Sequence, residues 1–296
     1  MGRRTAPRGN DPPALFRSGD QGPIWRSMSD ASSPKTQPSL FIPHGGGPCF
    51  FMPDPNGTWR GMETYLRGLA ATLPERPRAI LIISGHWETR GGFALTGAER
   101  PGLIYDYYNF PPHTYELTYP APGAPWLAER AAGLLREAGL EAAVDPERGF
   151  DHGVFVPMKV AFPDADIPIV QLSIEQGYDP ALHVRAGEAI AALREDGVLI
   201  IGSGMSFHNL RAYGDPRVEE PSRLFDEWLT QAATAAAPER AALLARWVDA
   251  PFARFSHPRE DHLIPLMVAA GASGAPGRHD YGELVLSSAI SGYSFA

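Results

Sequence analysis

Cysteine is almost absent: Cys49 stands alone in 296 residues. One thiol can build neither an internal disulfide nor a CxxC zinc site, so no covalent framework holds this fold and a reducing, cytoplasmic compartment is expected. Lysine is nearly as scarce. Only Lys35 and Lys159 are present, and arginine supplies the remaining basic side chains. With 26 basic against 34 acidic groups the net charge is −8, which excludes a general electrostatic grip on nucleic acid or an anionic membrane. Mean hydropathy is −0.20, and no apolar run approaches the ~20 residues that a bilayer crossing needs. Neither GxxxxGK[ST] nor a GxGxxG after a strand occurs, which argues against nucleotide chemistry.

What is present divides at about residue 38. Residues 1–37 are rich in Arg, Pro, Gly and Ser without apolar period, the composition of a disordered extension. No apolar core of ~7–15 residues follows the opening arginines, so a secretory signal is not supported, and Met28 is a candidate natural start. From 38 to 296 strand-like and helix-like segments alternate in one domain. SLFIP (39–43), AILIIS (79–84), PIVQLSI (168–174) and VLIIGS (198–203) are short apolar runs of the kind buried on both faces. Residues 92–96 and 283–289 read as further strands. Helical spacing predicts helices over 59–73, 126–138, 181–194, 223–237, 239–248 and 262–270. The stretch 101–123, crowded with proline and tyrosine, has little room for a regular element. The pattern is α/β: a single domain with a central, mostly parallel or mixed sheet covered by helices.

In such sheets ligands bind at the carboxyl edge of the strands. Three strand-like runs here end in histidine-bearing loops: SLFIP-His44-GGG, AILIISG-His86-WE and VLIIGSGMSF-His208-N. His152 lies in Gly-Phe-Asp-His-Gly, and His262 opens an apolar helix. Imidazole suits Fe, Zn, Cu and Ni, and two histidines with a third ligand form a facial triad with open positions. His208 can serve as ligand or as acid/base. His113, His183, His257 and His279 lie in proline-rich, helical or terminal stretches and read as surface residues. The triple glycine after His44 has no positive helper for an anion nest. Neither Ser203 nor Ser84 sits in the GxSxG frame of a serine hydrolase.

Six motifs in register carry a resemblance. Pro43-His44-Gly45-Gly46-Gly47-Pro48, Ser84-Gly85-His86-Trp87, Tyr119-Pro120-Ala121-Pro122-Gly123, Gly149-Phe150-Asp151-His152-Gly153, Gly202-Ser203-Gly204 with His208-Asn209-Leu210, and Asp261-His262 with Pro265-Leu266 together resemble the 4,5-DOPA extradiol dioxygenase family. That family is a branch of the class III extradiol ring-cleavage dioxygenases, similar to the β-subunit of protocatechuate 4,5-dioxygenase. The resemblance spans residues 38–296. It implies a mononuclear metal at the strand edge bound by His44, His86 and His262, with His208 as acid/base and a further metal ligand. His152 then faces substrate or supports the metal site, with Asp151 as its orienting partner. Fe(II) is the implied cofactor for activity, with Zn(II) able to occupy the same site. The implied partners are a small catechol, such as DOPA, and O₂. A monomer or homodimer is the expected assembly. The loop Tyr105-Asp106-Tyr107-Tyr108-Asn109-Phe110 either lines the ring pocket or packs as an aromatic cluster. Arg211 and Arg259, though near the motifs, read as surface residues. Two alternatives stand beside this reading: a Zn-dependent hydrolase, and a non-catalytic Memo-like binding protein on a similar fold.

Overall fold

The computed structural model of the protein describes residues 1, 2 and 34–296. The extension expected over 1–37, with Met28, falls outside the described residues as far as Ser33. The compact unit runs Pro34–Ala296. It takes in Gln37, which is buried, donates its backbone N–H to Arg194 O and accepts the Arg194 Nε–H on its own carbonyl.

The apolar runs become the middle of one sheet. Strands β1 (Ser39–Pro43), β2 (Ala79–Thr89), β5 (Ile169–Glu175) and β6 (Val198–Gly204) stand in the order β5-β2-β6-β1, all parallel. Outside them, β3 (Phe93–Thr96) pairs antiparallel with β5 and parallel with β4 (Ala142–Asp145). A hairpin of β7 (Gly277–Val285) and β8 (Ser288–Phe295) closes the other edge, antiparallel to β1. Successive side chains point to opposite faces, so each central strand feeds two cores. Phe41, Leu81, Ile83 and Ile200 face one core, built from α2 (Pro125–Glu137), α4 (Pro180–Ile190), α5 (Glu219–Thr234), α6 (Ala237–Ala245) and α8 (Ile264–Gly271). Leu40, Ile42, Ile82 and Ile201 face the other, covered by α1 (Arg60–Thr72) and α3 (His152–Ala161). Coverage on both faces is why these runs are apolar throughout. A short α7 (Ala253–Ser256) lies between α6 and α8 in sequence. No helix among the described residues is long and apolar enough to cross a membrane.

Register sets the level at which functional loops leave the sheet. Pro43 pairs with Gly204 and Ser84 with Ser203, so the residues after β1, within late β2 and after β6 emerge at one height.

Several expectations need correction. The single strand over 283–289 is the centre of a hairpin, whose turn is Leu286-Ser287 at φ 49° and 63°. Both residues are left-handed, a conformation usually signalled by Gly or Asn, and neither is present. Strand β4 and helix α3 carry no clear sequence signal; α3 is buried almost all round and holds Pro157 inside it, so it has no amphipathic period. The segment expected as one helix over 181–194 ends as α helix at Ile190 and finishes in a 3₁₀ turn. His183 and His257 are buried, not surface residues. His183 Nδ1–H donates to Asp179 O (2.7 Å) and Nε2 accepts from Glu175 N–H (3.0 Å), so both ring nitrogens are satisfied out of water. His257 donates to Ser206 O (2.9 Å). His113 and His279 are exposed as expected.

Helices α4 and α8 touch backbone to backbone. A Cβ on Gly187 would lie 2.1 Å from Val268 O, and one on Gly271 2.1 Å from Val184 O. Gly187→Ala therefore forces the helices apart and should cost about 2 kcal/mol, read as a lower urea midpoint; an unchanged midpoint would mean that the pair separates freely. Burial pushes His257 down to about 3, against ~6.5 in an unfolded chain. Its folded value is lowered, so its neutral burial is free above pH 6.5 and costs stability as pH falls toward 3. Between pH 7.5 and 5.5 this amounts to about 1 kcal/mol, and His257→Gln should show an acid slope shallower by that amount in urea melts.

Candidate metal centre

His44 follows β1 directly, and its backbone N–H donates to Gly204 O (3.2 Å). Its ring Nδ1 lies 3.0 Å from Ser203 Oγ. Ser203 Oγ–H in turn donates to Gly153 O, which can only accept. The serine oxygen must therefore accept from His44 Nδ1–H, leaving His44 Nε2 with a free lone pair.

His86 sits where the β2–β5 register breaks between Ile83 and Glu88. The strand that was expected to stop at residue 84 continues irregularly to Thr89, and the irregularity turns the His86 ring inward. Its Nδ1 faces Asp106 Oδ2 at 3.4 Å, so its proton belongs there and Nε2 again is free.

His262 arrives from the far end of the chain, two residues before α8. Its room comes from three motif glycines. A Cβ on Gly85 would lie 2.6 Å from Asp261 O, one on Gly204 2.1 Å from His262 O, and one on Gly202 2.2 Å from Pro265 O. Met205 N–H donates to His262 O (3.0 Å) and pins the segment to β6. His262 Nδ1 lies 3.2 Å from Asp261 Oδ1, out of line for a hydrogen bond, while that oxygen accepts the His262 backbone N–H at 2.9 Å.

These placements bring Nε2 of His86 to 3.4 Å from Nε2 of His44 and 3.1 Å from Nε2 of His262. Ligands held at ~2.0–2.1 Å in tetrahedral geometry stand about 3.3 Å apart, so the spacing fits a shared ion. Burial, aided by the neighbouring imidazoles, pushes His44 and His262 well below their ordinary value and holds His86 at about 3. All three are neutral at pH 7, as metal ligands must be. Converging lone pairs without protons repel, and a cation removes the repulsion. The donors fall into two separate groups: His44, His86 and His152, then His208, Asp261 and His262. The expected set takes two from the first and one from the second.

His208 stacks on His262, ring centroids 3.4 Å apart at 16°. Burial lowers it to about 4 against the opposing pull of Asp261, whose Oδ1 lies 3.8 Å from His208 Nδ1. His152 opens α3. Its partner is not the expected Asp151. Backbone N–H and Nδ1–H of His152 both donate to Asp106 Oδ1, at 2.9 and 2.7 Å. Asp151 instead accepts from Ser84 Oγ (2.8 Å), Gln171 Nε2 and Arg148 Nη2 (3.2 Å). Burial pushes Asp106 up, but the bonds and charge of His152 outweigh it and hold the carboxyl at about 2. One carboxylate thus orients two histidines. Asp106 was visible in sequence only as part of the aromatic loop; nothing in its spacing marks it as a partner of His86 or His152.

The five histidines line a cavity of about 330 Å³ with the triple glycine, Trp59, Tyr107, Tyr108, Phe110, Met205, Leu210 and Tyr213. The aromatic loop does both things expected of it. Tyr107, Tyr108 and Phe110 face the cavity, while Tyr105 packs on Phe155 and bonds Leu117 O. Arg211 and Arg259 are exposed.

Residues 42–294 match the family described as the catalytic LigB subunit of aromatic ring-opening dioxygenase. The "Dioxygenase tasH" of Hapsidospora irregularis is 41% identical over 258 residues, covering 80% of this chain and 78% of that relative. The "4,5-DOPA dioxygenase extradiol" of Beta vulgaris is 36% identical, covering 80% and 87%, and the Escherichia coli K12 protein of the same name is 37% identical, covering 79% and 84%. The crystal structure of an uncharacterized protein from Escherichia coli K12 superposes with a TM-score of 0.71 at 31% identity, over 88% of this chain and all of that one. The chain belongs to the LigB family of aromatic ring-opening dioxygenases and is an extradiol ring-cleavage enzyme.

Proposed function

We propose that His44, His86 and His262 hold Fe(II) and that the enzyme opens a catechol ring beside its diol, with His208 as the acid/base and His152 as a second polar contact to substrate. The observation that carries this reading is the convergence of three neutral imidazoles, at 3.1 and 3.4 Å between ring nitrogens, on the floor of an aromatic-walled cavity. Two further histidines flank it.

Bound Fe(II) supplies open positions where diol and O₂ meet, together with the one-electron steps that let them react. The chain's own residues do the rest. His208, neutral at pH 7, takes a proton from a catechol hydroxyl at a ring nitrogen and returns it as the O–O bond breaks. Its ring stack on His262 supports a further role as a fourth ligand. His152 keeps its Nδ1 proton on Asp106, so Nε2 is an acceptor for a substrate hydroxyl. Aromatic and thioether walls exclude water from the reacting atoms. The reaction closes without an external reductant. One ring C–C bond and the O–O bond break, and the two oxygens end in the product as carboxylate and aldehyde oxygens.

Family membership favours ring cleavage over the hydrolase and binding-protein alternatives. Zn(II) fits the same imidazole set but supplies no redox step. Cytoplasmic residence is proposed on the single thiol of Cys49, which is buried and pushed up to about 12.

Anaerobic reconstitution with Fe(II), followed by O₂ and a catechol, should give yellow ring-opened product. Chelation should abolish it, and Fe(II) but not Zn(II) should restore it. One Fe(II) per chain without O₂ uptake on any catechol would overturn the reading. His208→Gln should keep its metal and lose at least ~100-fold in kcat; loss of metal instead would make His208 chiefly a ligand. Asp106→Asn should weaken Zn(II) affinity about 10–100-fold in chelator competition, because His86 and His152 lose their shared anion. Wild-type affinity in that variant would remove Asp106 from the metal site.

A further inference from the structure

We propose that the catechol this enzyme takes carries an uncharged, apolar substituent, which leaves the cavity between Tyr108 and Leu210, and that amino-acid and carboxylate catechols are poor substrates. This rests on the ring-cleavage reading above and goes further, to the substrate class.

The argument starts from what the cavity offers a substituent. Beyond the histidines and the glycine loop, its lining is Trp59, Tyr107, Phe110, Met205 and Tyr213 inside, with Tyr108 and Leu210 at the mouth. Among the described residues no Lys, Arg, Asp or Glu side chain lines it. A substrate with an α-carboxylate and α-ammonium needs partners for both charges once they leave water. Of the guanidiniums near the site's motifs, two are bonded elsewhere and the third lines a different groove. Arg148 bonds Asp151 and lies over Trp87, and Arg259 bonds Glu88 and Tyr178. Arg211 lines a separate groove with Asp215 and Arg217. Asp106 and Asp261, the two acids closest in role, are turned onto imidazoles behind the wall.

The mouth carries a positive signal as well. Tyr108 is 79% exposed and Leu210 69% exposed, yet both line the cavity. Large apolar groups held in water at the lip of a ligand cavity mark where an apolar ligand covers them. The diol sits at the proposed ion, but a charge elsewhere on the substrate meets only uncharged lining groups. Each methylene buried at such a lip tightens binding about fourfold.

The test uses the full chain loaded with Fe(II) and catechol, 4-ethylcatechol, 4-butylcatechol, DOPA and protocatechuate. Binding is read anaerobically by tryptophan fluorescence, where no turnover occurs, and kcat/KM is then read with O₂. The expected result is a Kd that falls at least ~15-fold from catechol to 4-butylcatechol, the effect of about two buried methylenes, and a kcat/KM for 4-butylcatechol at least ~30-fold above those of DOPA and protocatechuate. Leu210→Arg, at an exposed position that folding tolerates, should shift the DOPA to 4-butylcatechol ratio toward DOPA by about tenfold, through a new carboxylate partner. Cleavage with DOPA or protocatechuate preferred overturns this inference and leaves ring cleavage standing. Failure of every catechol to bind or react overturns both.

Discussion

The site depends on one close approach: the backbone at His262 lies directly on β2 and β6. The carbonyls of Asp261, His262 and Pro265 occupy the space that side chains on Gly85, Gly204 and Gly202 would fill. Parallel strands supply a common edge, and register puts β1, β2 and β6 level there, but two strands contribute only His44 and His86. The third imidazole must come from a segment outside the sheet. It reaches the others only because the sheet surface beneath it is bare, and because Gly187 and Gly271 let α8 seat against α4 at the other end of the same helix. The motif glycines thus make space for a distant residue more than they shape their own loops.

Proton placement follows from the same packing. Ser203 sits on β6 with its hydroxyl used by Gly153 O, so it can only accept from His44. Asp106 carries its charge from the aromatic loop to His86 and His152 together. His44, His86 and His152 are thereby fixed in the tautomer that leaves a lone pair toward the cavity. Burial keeps His44, His86 and His262 neutral, since a charged imidazole here would be stripped of water beside others of its kind. Asp106 also joins two functions physically. The loop that walls the cavity with Tyr107, Tyr108 and Phe110 is the loop that orients a metal-facing histidine, so a change in one is felt by the other.

How much of this was legible in sequence follows from what each signal measures. Strands β1, β2, β5 and β6 could be read because burial on both faces leaves an unbroken apolar run, and helices α1, α2 and α5 because one buried stripe leaves a period. Helix α3 could not, since burial all round erases the period and Pro157 argues against it. The β7–β8 turn was hidden because Leu286 and Ser287 adopt a conformation their side chains do not advertise. Among histidines, those next to strand ends were placed at the edge by topology. His183 and His257 were misplaced because their partners are backbone groups brought near only by folding. Asp151 was favoured over Asp106 by adjacency to His152, yet its side chain points into the Ser84–Gln171–Arg148 network, while Asp106 reaches His152 across 46 positions. Chain neighbours of a helix N-terminal residue diverge in direction, so adjacency is a weak guide to an orienting partner.

Electrostatics then constrains what the centre prefers. Three neutral imidazoles leave a divalent ion with its full +2, where a carboxylate ligand would reduce it to +1. The nearest anions, Asp106 and Asp261, stand one ring away, so they orient histidines without neutralising the ion directly. A centre of that charge attracts an anionic oxygen donor strongly, and in the proposed mechanism a catechol becomes one on losing a proton to a neutral neighbouring imidazole. The aromatic walls strengthen this attraction by keeping water out, and the same walls penalise any additional charge on the substrate that the ion does not contact. On the proposed reading, affinity for the diol and intolerance of a charged tail share one physical origin: a divalent ion held by neutral imidazoles in a cavity with low-dielectric walls.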